Sequence, residues 1–169
     1  MRNLLIEKIY NLCDGKKAEE VFLTYIKSDG TQDDITYRSF GLKCELLMQK
    51  FQKSILHRRD RVLLLTPMSP FGCIAVTALA ISELVSVVLN PQLPEEELDS
   101  LVKKSDISGI VCDEEIYQKY AYKWTQKYPV FNIKTGDLFF DGEYFSESSK
   151  DSDDVIAILY SSGTTSEPK

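Results

Sequence analysis

The amino-acid sequence predicts an α/β fold: a mostly parallel sheet flanked by helices. Short continuous apolar runs recur, at "RVLLLT" (Arg61–Thr66), "LVSVVL" (Leu84–Leu89), "ISGIVC" (Ile107–Cys112) and "VIAILY" (Val155–Tyr160). Such runs suit strands buried on both faces. Segments of helical character separate them, and strand alternating with helix at this spacing requires the crossover connections that build parallel sheets.

Taken in order, Arg2 to Cys13 reads as an amphipathic helix with Leu5, Ile9 and Leu12 on one stripe. "VFLTYI" (Val21–Ile26) and "DITY" (Asp34–Tyr37) flank the turn signal Ser28-Asp29-Gly30-Thr31 and predict a hairpin. Phe40, Leu47 and Phe51 share a helical face, which predicts a helix over Ser39 to Ser54. Pro67 and Pro70 end the next strand, and Phe71 to Ile81 is an apolar helix. Asn90-Pro91 ends the strand after it. Pro94 then opens a helix whose first turn carries Glu95, Glu96 and Glu97, where the helix dipole favours carboxylates. Asp113 is a helix N-cap before Glu114 to Lys127, and "PVFNI" (Pro129–Ile133) is a strand. Gly136-Asp137 and Asp141-Gly142 mark turns, "SESSKDSDD" is a polar loop, and Val155–Tyr160 is one more buried strand.

A chain of 169 residues suits one domain. Its 43% hydrophobic content, with nine Tyr and eight Phe, argues against disorder. A formal net charge of -6 excludes a basic nucleic-acid binder, and the one basic cluster, His57-Arg58-Arg59, reads as a solvated loop beside Asp60. Cys13, Cys44, Cys73 and Cys112 form no metal-type spacing, there is no secretory signal, and buried free thiols in a cytoplasmic protein are expected. The apolar stretch Phe71–Leu89 is broken by Ser82-Glu83, so no membrane span is expected. His57 is the sole histidine, which leaves Ser-His-Asp and Cys-His mechanisms without a partner set within the chain.

The chemistry concentrates in the terminal segment "YSSGTTSEPK", which leaves the carboxyl end of a predicted strand. In open α/β sheets ligands sit at that edge. Glycine lets successive backbone N–H groups converge on an anion, hydroxyls add donors, and a lysine adds a point charge. Ser/Thr/Gly/Pro clusters also write ordinary loops, so composition leaves both readings open. No G-x-x-x-x-G-K-[ST] or G-x-G-x-x-G is present.

The order of these residues resembles the signature Y-T-S-G-[ST]-T-G-x-P-K of the adenylate-forming superfamily, which comprises acyl-CoA synthetases, luciferases and peptide-synthetase adenylation domains. Asp154, Ala157, Tyr160, Ser162, Gly163, Thr164, Thr165, Pro168 and Lys169 fall in register. "ITYRSF" (Ile35–Phe40) is similar to that family's T-Y-x-E-L segment, and the sequence from "RDRVLLL" to "IVCDE" follows its G-D-R-V, N-S-x-x-F and P-L-N-P-x-x-P-x-x-E-L blocks. The resemblance runs from about Ala18 to Lys169.

It implies the N-terminal subdomain of the adenylate-forming fold, incomplete, with residues 1–169 ending at the phosphate loop and the C-terminal domain absent. It implies Mg-ATP-dependent activation of a small-molecule carboxylic acid to an acyl adenylate, with coenzyme A or a carrier thiol as acceptor. On the family pattern, Ser161, Ser162, Gly163, Thr164 and Thr165 contact ATP phosphates, and Lys169 is a supporting cation. The family's metal, adenine, acyl and catalytic residues fall beyond the equivalent of Lys169, so no catalytic or metal residue is assigned. The chain alone is expected to be inactive, and its open edges invite self-association. Ser166 stands where the family has a second loop glycine, followed by Glu167. Serine at a position requiring φ > 0 would be strained by about 1 kcal/mol. A non-catalytic nucleotide-binding or scaffold domain of the same fold is the alternative.

Overall fold

The computed structural model describes residues 4–67, 69–139 and 155–160. The chain starts with α1 (Leu4–Asp14) and an antiparallel hairpin of β1 (Val21–Ile26) and β2 (Gln32–Thr36). At the hairpin turn the Asp29 carboxylate accepts from the Thr31 hydroxyl at 2.7 Å and amide at 2.9 Å. α2 (Tyr37–Gln52) begins two residues ahead of the expected start, where its N-cap, extended Thr36, accepts the Ser39 amide through Oγ1 at 3.2 Å. Its buried face is Phe40, Cys44, Leu47 and Phe51, the expected stripe with a cysteine added.

The strand–helix rhythm follows: β3 (Arg61–Leu65), α3 (Pro70–Ile81), β4 (Val85–Leu89), α4 (Glu95–Lys104), β5 (Gly109–Cys112), α5 (Glu114–Lys119), a short 3-10 helix (Ala121–Trp124), β6 (Val130–Asn132), β7 (Leu138–Phe139) and β8 (Ala157–Leu159). The strands form one sheet in the order β7-β6-β5-β3-β4-β8. β6, β5, β3, β4 and β8 are parallel, and β7 returns antiparallel on β6. This is the mostly parallel, helix-flanked sheet expected from the alternating runs.

Side chains alternate across the sheet, as the strand repeat of two dictates. Leu63, Leu65, Val87, Leu89, Ile110 and Cys112 face α4 and α5; Val62, Leu64, Val111 and Phe131 face α2 and α3. β3 is central, its four residues after Arg61 all at most 2% exposed. Phe51 of α2 meets Phe131 of β6 edge to face, 5.2 Å between centroids.

At the opposite, amino edge of the sheet, helices hand over to strands through left-handed residues. Glu83 (φ 58) follows α3 and Asp106 (φ 51) follows α4, while Arg59 (φ 68) precedes β3. After α3 the Leu84 amide bonds the Leu79 carbonyl at 2.9 Å and the Glu83 amide bonds that of Ala80 at 3.2 Å, a Schellman closure with glutamate in place of glycine.

The structure corrects several expectations. The helix expected to run to Lys127 stops at Lys119, because Tyr120 leaves helical geometry (φ -133, ψ -49). The chain then turns so that Tyr120, Thr125 and Tyr128 are all buried, which one straight helix would not achieve. Leu12 of α1 is exposed and Cys13 is buried instead, against Gly41. Cys73 is exposed, whereas Cys13, Cys44 and Cys112 are buried free thiols as expected. Val155–Tyr160, read as a strand buried on both faces, is an edge strand: Val155, Ile156 and Leu159 are 44%, 46% and 72% exposed. Its sequence is that of a covered strand, but no described element packs on its outer side. No helix among the described residues is long and apolar enough to cross a membrane.

Candidate functional site

Five parallel strands end along one edge, and short local bonds shape three of the exits. After β4, Asn90 Oδ1 accepts the Gln92 amide at 3.0 Å and turns the chain toward α4. After β5, the Asp113 carboxylate accepts the Ile116 amide at 2.9 Å and caps α5, as expected from sequence. At the end of β6, Asn132 Oδ1 accepts the Lys134 amide at 2.9 Å. β8 ends at Leu159 and Tyr160, on the β4 side of this same edge. The sequence-predicted phosphate contacts Ser161, Ser162, Gly163, Thr164, Thr165 and Lys169 lie outside the described residues, as does Ser166; Tyr160 is where the described chain delivers them.

β8 is held in place by polar contacts that sequence reasoning did not identify. Among the described residues the buried polar ones are Ser86, Ser105 and Thr125, at 0%, 2% and 5% exposure. Ser86 donates both its amide (3.0 Å) and its hydroxyl (3.2 Å) to the Ile156 carbonyl, at the start of β8. Ser105, the C-cap of α4, lies with Oγ 3.0 Å from the Tyr160 hydroxyl, at the strand's end. Ser105 Oγ donates its single proton to the Leu101 carbonyl at 2.6 Å, so Tyr160 is the donor to Ser105. A serine within the apolar run "LVSVVL" was the available signal for Ser86. Ser105 carries no signal in sequence, because its partner is 55 residues away.

A cavity of about 360 Å³ opens at the other end of the edge, between the hairpin and the start of α3. Ile35, Phe71 and Ile133 form apolar walls, with Lys27, Asp33, Asp113 and Lys134 around them. Its charges are already satisfied or balanced. Lys27 pairs with Asp33 at 2.9 Å, Asp113 caps α5, and Lys134 sits 5.7 Å over the Phe71 ring.

Other candidates resolve as structural. Glu95 of the acidic helix turn pairs with Lys123. Arg58 pairs with Glu83 at 2.7 Å, and the His57 amide donates to Asp60 at 2.8 Å, which shapes the basic loop. Burial pushes the Cys44 and Cys112 thiols up to about 12, which keeps them protonated and unreactive. Among the described residues no three His, Cys, Asp or Glu side chains converge on a metal position. No step is derived through a magnesium ion.

The fold agrees with known proteins. Malformin synthetase mlfA of Aspergillus niger (strain ATCC MYA-4892) is 23% identical over 141 residues, covering 83% of this chain and 3% of that protein. The Bacillus subtilis O-succinylbenzoate coenzyme A synthetase MenE, solved with AMP, superimposes with a TM-score of 0.70 at 16% identity, over 95% of this chain and 40% of its own. The same synthetase solved with ATP and a magnesium ion gives 0.68 at 13% identity, over 95% of this chain and 41% of its own. The Legionella pneumophila fatty acyl-adenylate ligase, in complex with acyl adenylate and pyrophosphate, gives 0.76 at 17% identity, over 98% and 29%. These structures share the fold, and the chain spans well under half the length of each of these proteins. The model of the AMP-binding enzyme family matches residues 13–169, and the chain belongs to that family.

Proposed function

We propose that the chain is the N-terminal part of an ATP-dependent carboxylic acid–thiol ligase that works through an acyl adenylate in the cytoplasm. The observation that carries this is the family match over residues 13–169, with β8 and Tyr160 reaching the carboxyl edge of a parallel sheet just before "SSGTTSEPK" in the sequence. In this reading the backbone and hydroxyls of Ser161, Ser162, Gly163, Thr164 and Thr165 hold the β- and γ-phosphates, and Lys169 supports them. Their work is electrostatic positioning while the acid's carboxylate attacks the α-phosphorus and pyrophosphate leaves. Adenine, acyl and metal contacts come from sequence following this segment, and the 169 residues alone turn over no substrate.

The acceptor is coenzyme A or a carrier-bound thiol. ATP–pyrophosphate exchange on a longer protein, with a panel of fatty, aromatic and amino acids, tests the ligase reading. Exchange with one acid class identifies the substrate; no exchange with any acid rejects a ligase. Ser166, in place of the family's glycine, favours a second reading, a nucleotide-binding or scaffold domain without turnover. Ser166→Gly in the longer protein is expected to tighten ATP binding, and unchanged affinity would show that the serine is no handicap. The open side of β8 is the surface through which the isolated chain associates with itself.

A further inference from the structure

We propose that Ser105 and Tyr160 form a positioning pair that fixes where the phosphate loop leaves the sheet. The inference rests on reading the residues after Tyr160 as that loop. Among the described residues β8 has little else to fix it. Among them it is paired on one side only, through three residue pairs to β4, and Leu159 on its outer face is 72% exposed. Packing on one face and a short ladder permit sliding along the strand axis. A shift of one residue would move Tyr160 and the loop's first residue to opposite faces.

Hydroxyl contacts oppose that shift from both ends of the strand. A buried hydroxyl is costly unless bonded, and two of the three buried polar side chains among the described residues are bonded to β8. Ser86 holds Ile156 at the start, and Ser105 holds Tyr160 at the end. The Ser105 anchor is itself fixed. Its hydroxyl is bonded to Leu101, and its carbonyl accepts Arg61 Nη1 at 3.2 Å, linking α4 to the root of the central strand. Tyr160 also packs on the α4–α5 side of the core with Ile158. Its hydroxyl is directed at α4 rather than at a ligand, so its role is to place the loop's donors, whose alignment with phosphate oxygens tolerates errors of only a fraction of an ångström.

The test is a MgATP titration of the longer protein, read from the backbone amide NMR signals of Gly163 and Thr164, with the thermal midpoint measured in parallel. Tyr160→Phe removes one hydroxyl and keeps the ring. It is expected to weaken MgATP about fivefold, the worth of one hydrogen bond, with little change in midpoint. Ser105→Ala also loses the Leu101 bond, so it is expected to lower the midpoint further. Combined with Tyr160→Phe it should weaken MgATP no more than either single change, because the two remove the same bond. Ser105→Thr retains the hydroxyl and is expected to restore affinity. Longer wild-type protein that binds MgATP alongside a Tyr160→Phe variant that binds equally well overturns the positioning pair alone. Longer wild-type protein that shows no MgATP response at Gly163 and Thr164 overturns the phosphate-loop reading and the pair with it.

Discussion

Cys13 and Gly41 are in direct contact across the α1–α2 interface: a Cβ built on Gly41 would lie 2.5 Å from Cys13 Sγ and 2.7 Å from its Cβ. Sγ can turn about χ1 but the Cys13 Cβ cannot move without its backbone, so the helices would have to separate. Gly41 is inside α2, where alanine would otherwise stabilise by about 1 kcal/mol. Overpacking of this kind costs about 1–3 kcal/mol, so the interface should win. Gly41→Ala is expected to lower stability in urea unfolding; a gain in stability would show that α1 is free to move away.

The buried thiols predict how stability responds to alkali. Burial raises Cys44 and Cys112 from an ordinary value of 9.0 to about 12. The folded state therefore holds these protons more tightly than the unfolded state. Their contribution is complete below pH 9 and is lost as pH rises toward 12, with a limiting slope of about 1.4 kcal/mol per pH unit for each thiol. Urea midpoints should fall above pH 9, and Cys44→Ala should fall less steeply than wild type. Under native conditions a thiol reagent should label Cys73 alone, and all four cysteines in denaturant. Rapid native labelling of Cys112 would contradict its burial.

Glu83 offers a stabilising substitution. It occupies the left-handed position of the α3 closure at φ 58, where a residue with a Cβ is strained by about 1–2 kcal/mol. Its ion pair with Arg58 is solvent-exposed on both sides and is worth under about 1 kcal/mol. Glu83→Gly removes both, and glycine also gains freedom in the unfolded chain, which offsets part of the benefit. A net gain of up to about 1 kcal/mol is expected from denaturant unfolding. Glu83→Ala loses the same ion pair but keeps the strain, and should show no gain.

What the sequence made legible divides along the range of the interactions responsible. β3, β4 and β5 were readable because strands buried on both faces leave unbroken apolar runs such as Val62–Leu65. The Asp113 cap was readable because its partner, Ile116, is three residues away. The break at Tyr120 was not, because what favours it is burial of Tyr120, Thr125 and Tyr128 by elements distant in sequence. β7 is two residues long and exists only through its pairing with β6, so periodicity gave no sign of it. For the site, the sequence placed a strand ahead of the motif, and β8 with Tyr160 does end at the carboxyl edge of the sheet. The serines that hold that strand, 70 and 55 residues from their partners, became visible only once the sheet was assembled.

β8 also yields a prediction about association. Val155 to Tyr160 contains no charge and no proline, and among the described residues it forms the outermost strand of the sheet. Natural edge strands are usually blunted by lysine, proline or a bulge, and an unblunted one invites pairing with another chain. Leu159 is the most exposed of its side chains at 72%, so a lysine there disturbs no packing on the inner face, where Ile158 sits. Light scattering of wild-type chain is expected to rise above the 19.3 kDa monomer with concentration, and Leu159→Lys should remain at the monomer mass with the same circular dichroism. Association that survives the lysine would move the contact elsewhere. The hairpin is the next surface to test, since Val21, Phe22 and Ile26 are 51%, 43% and 64% exposed.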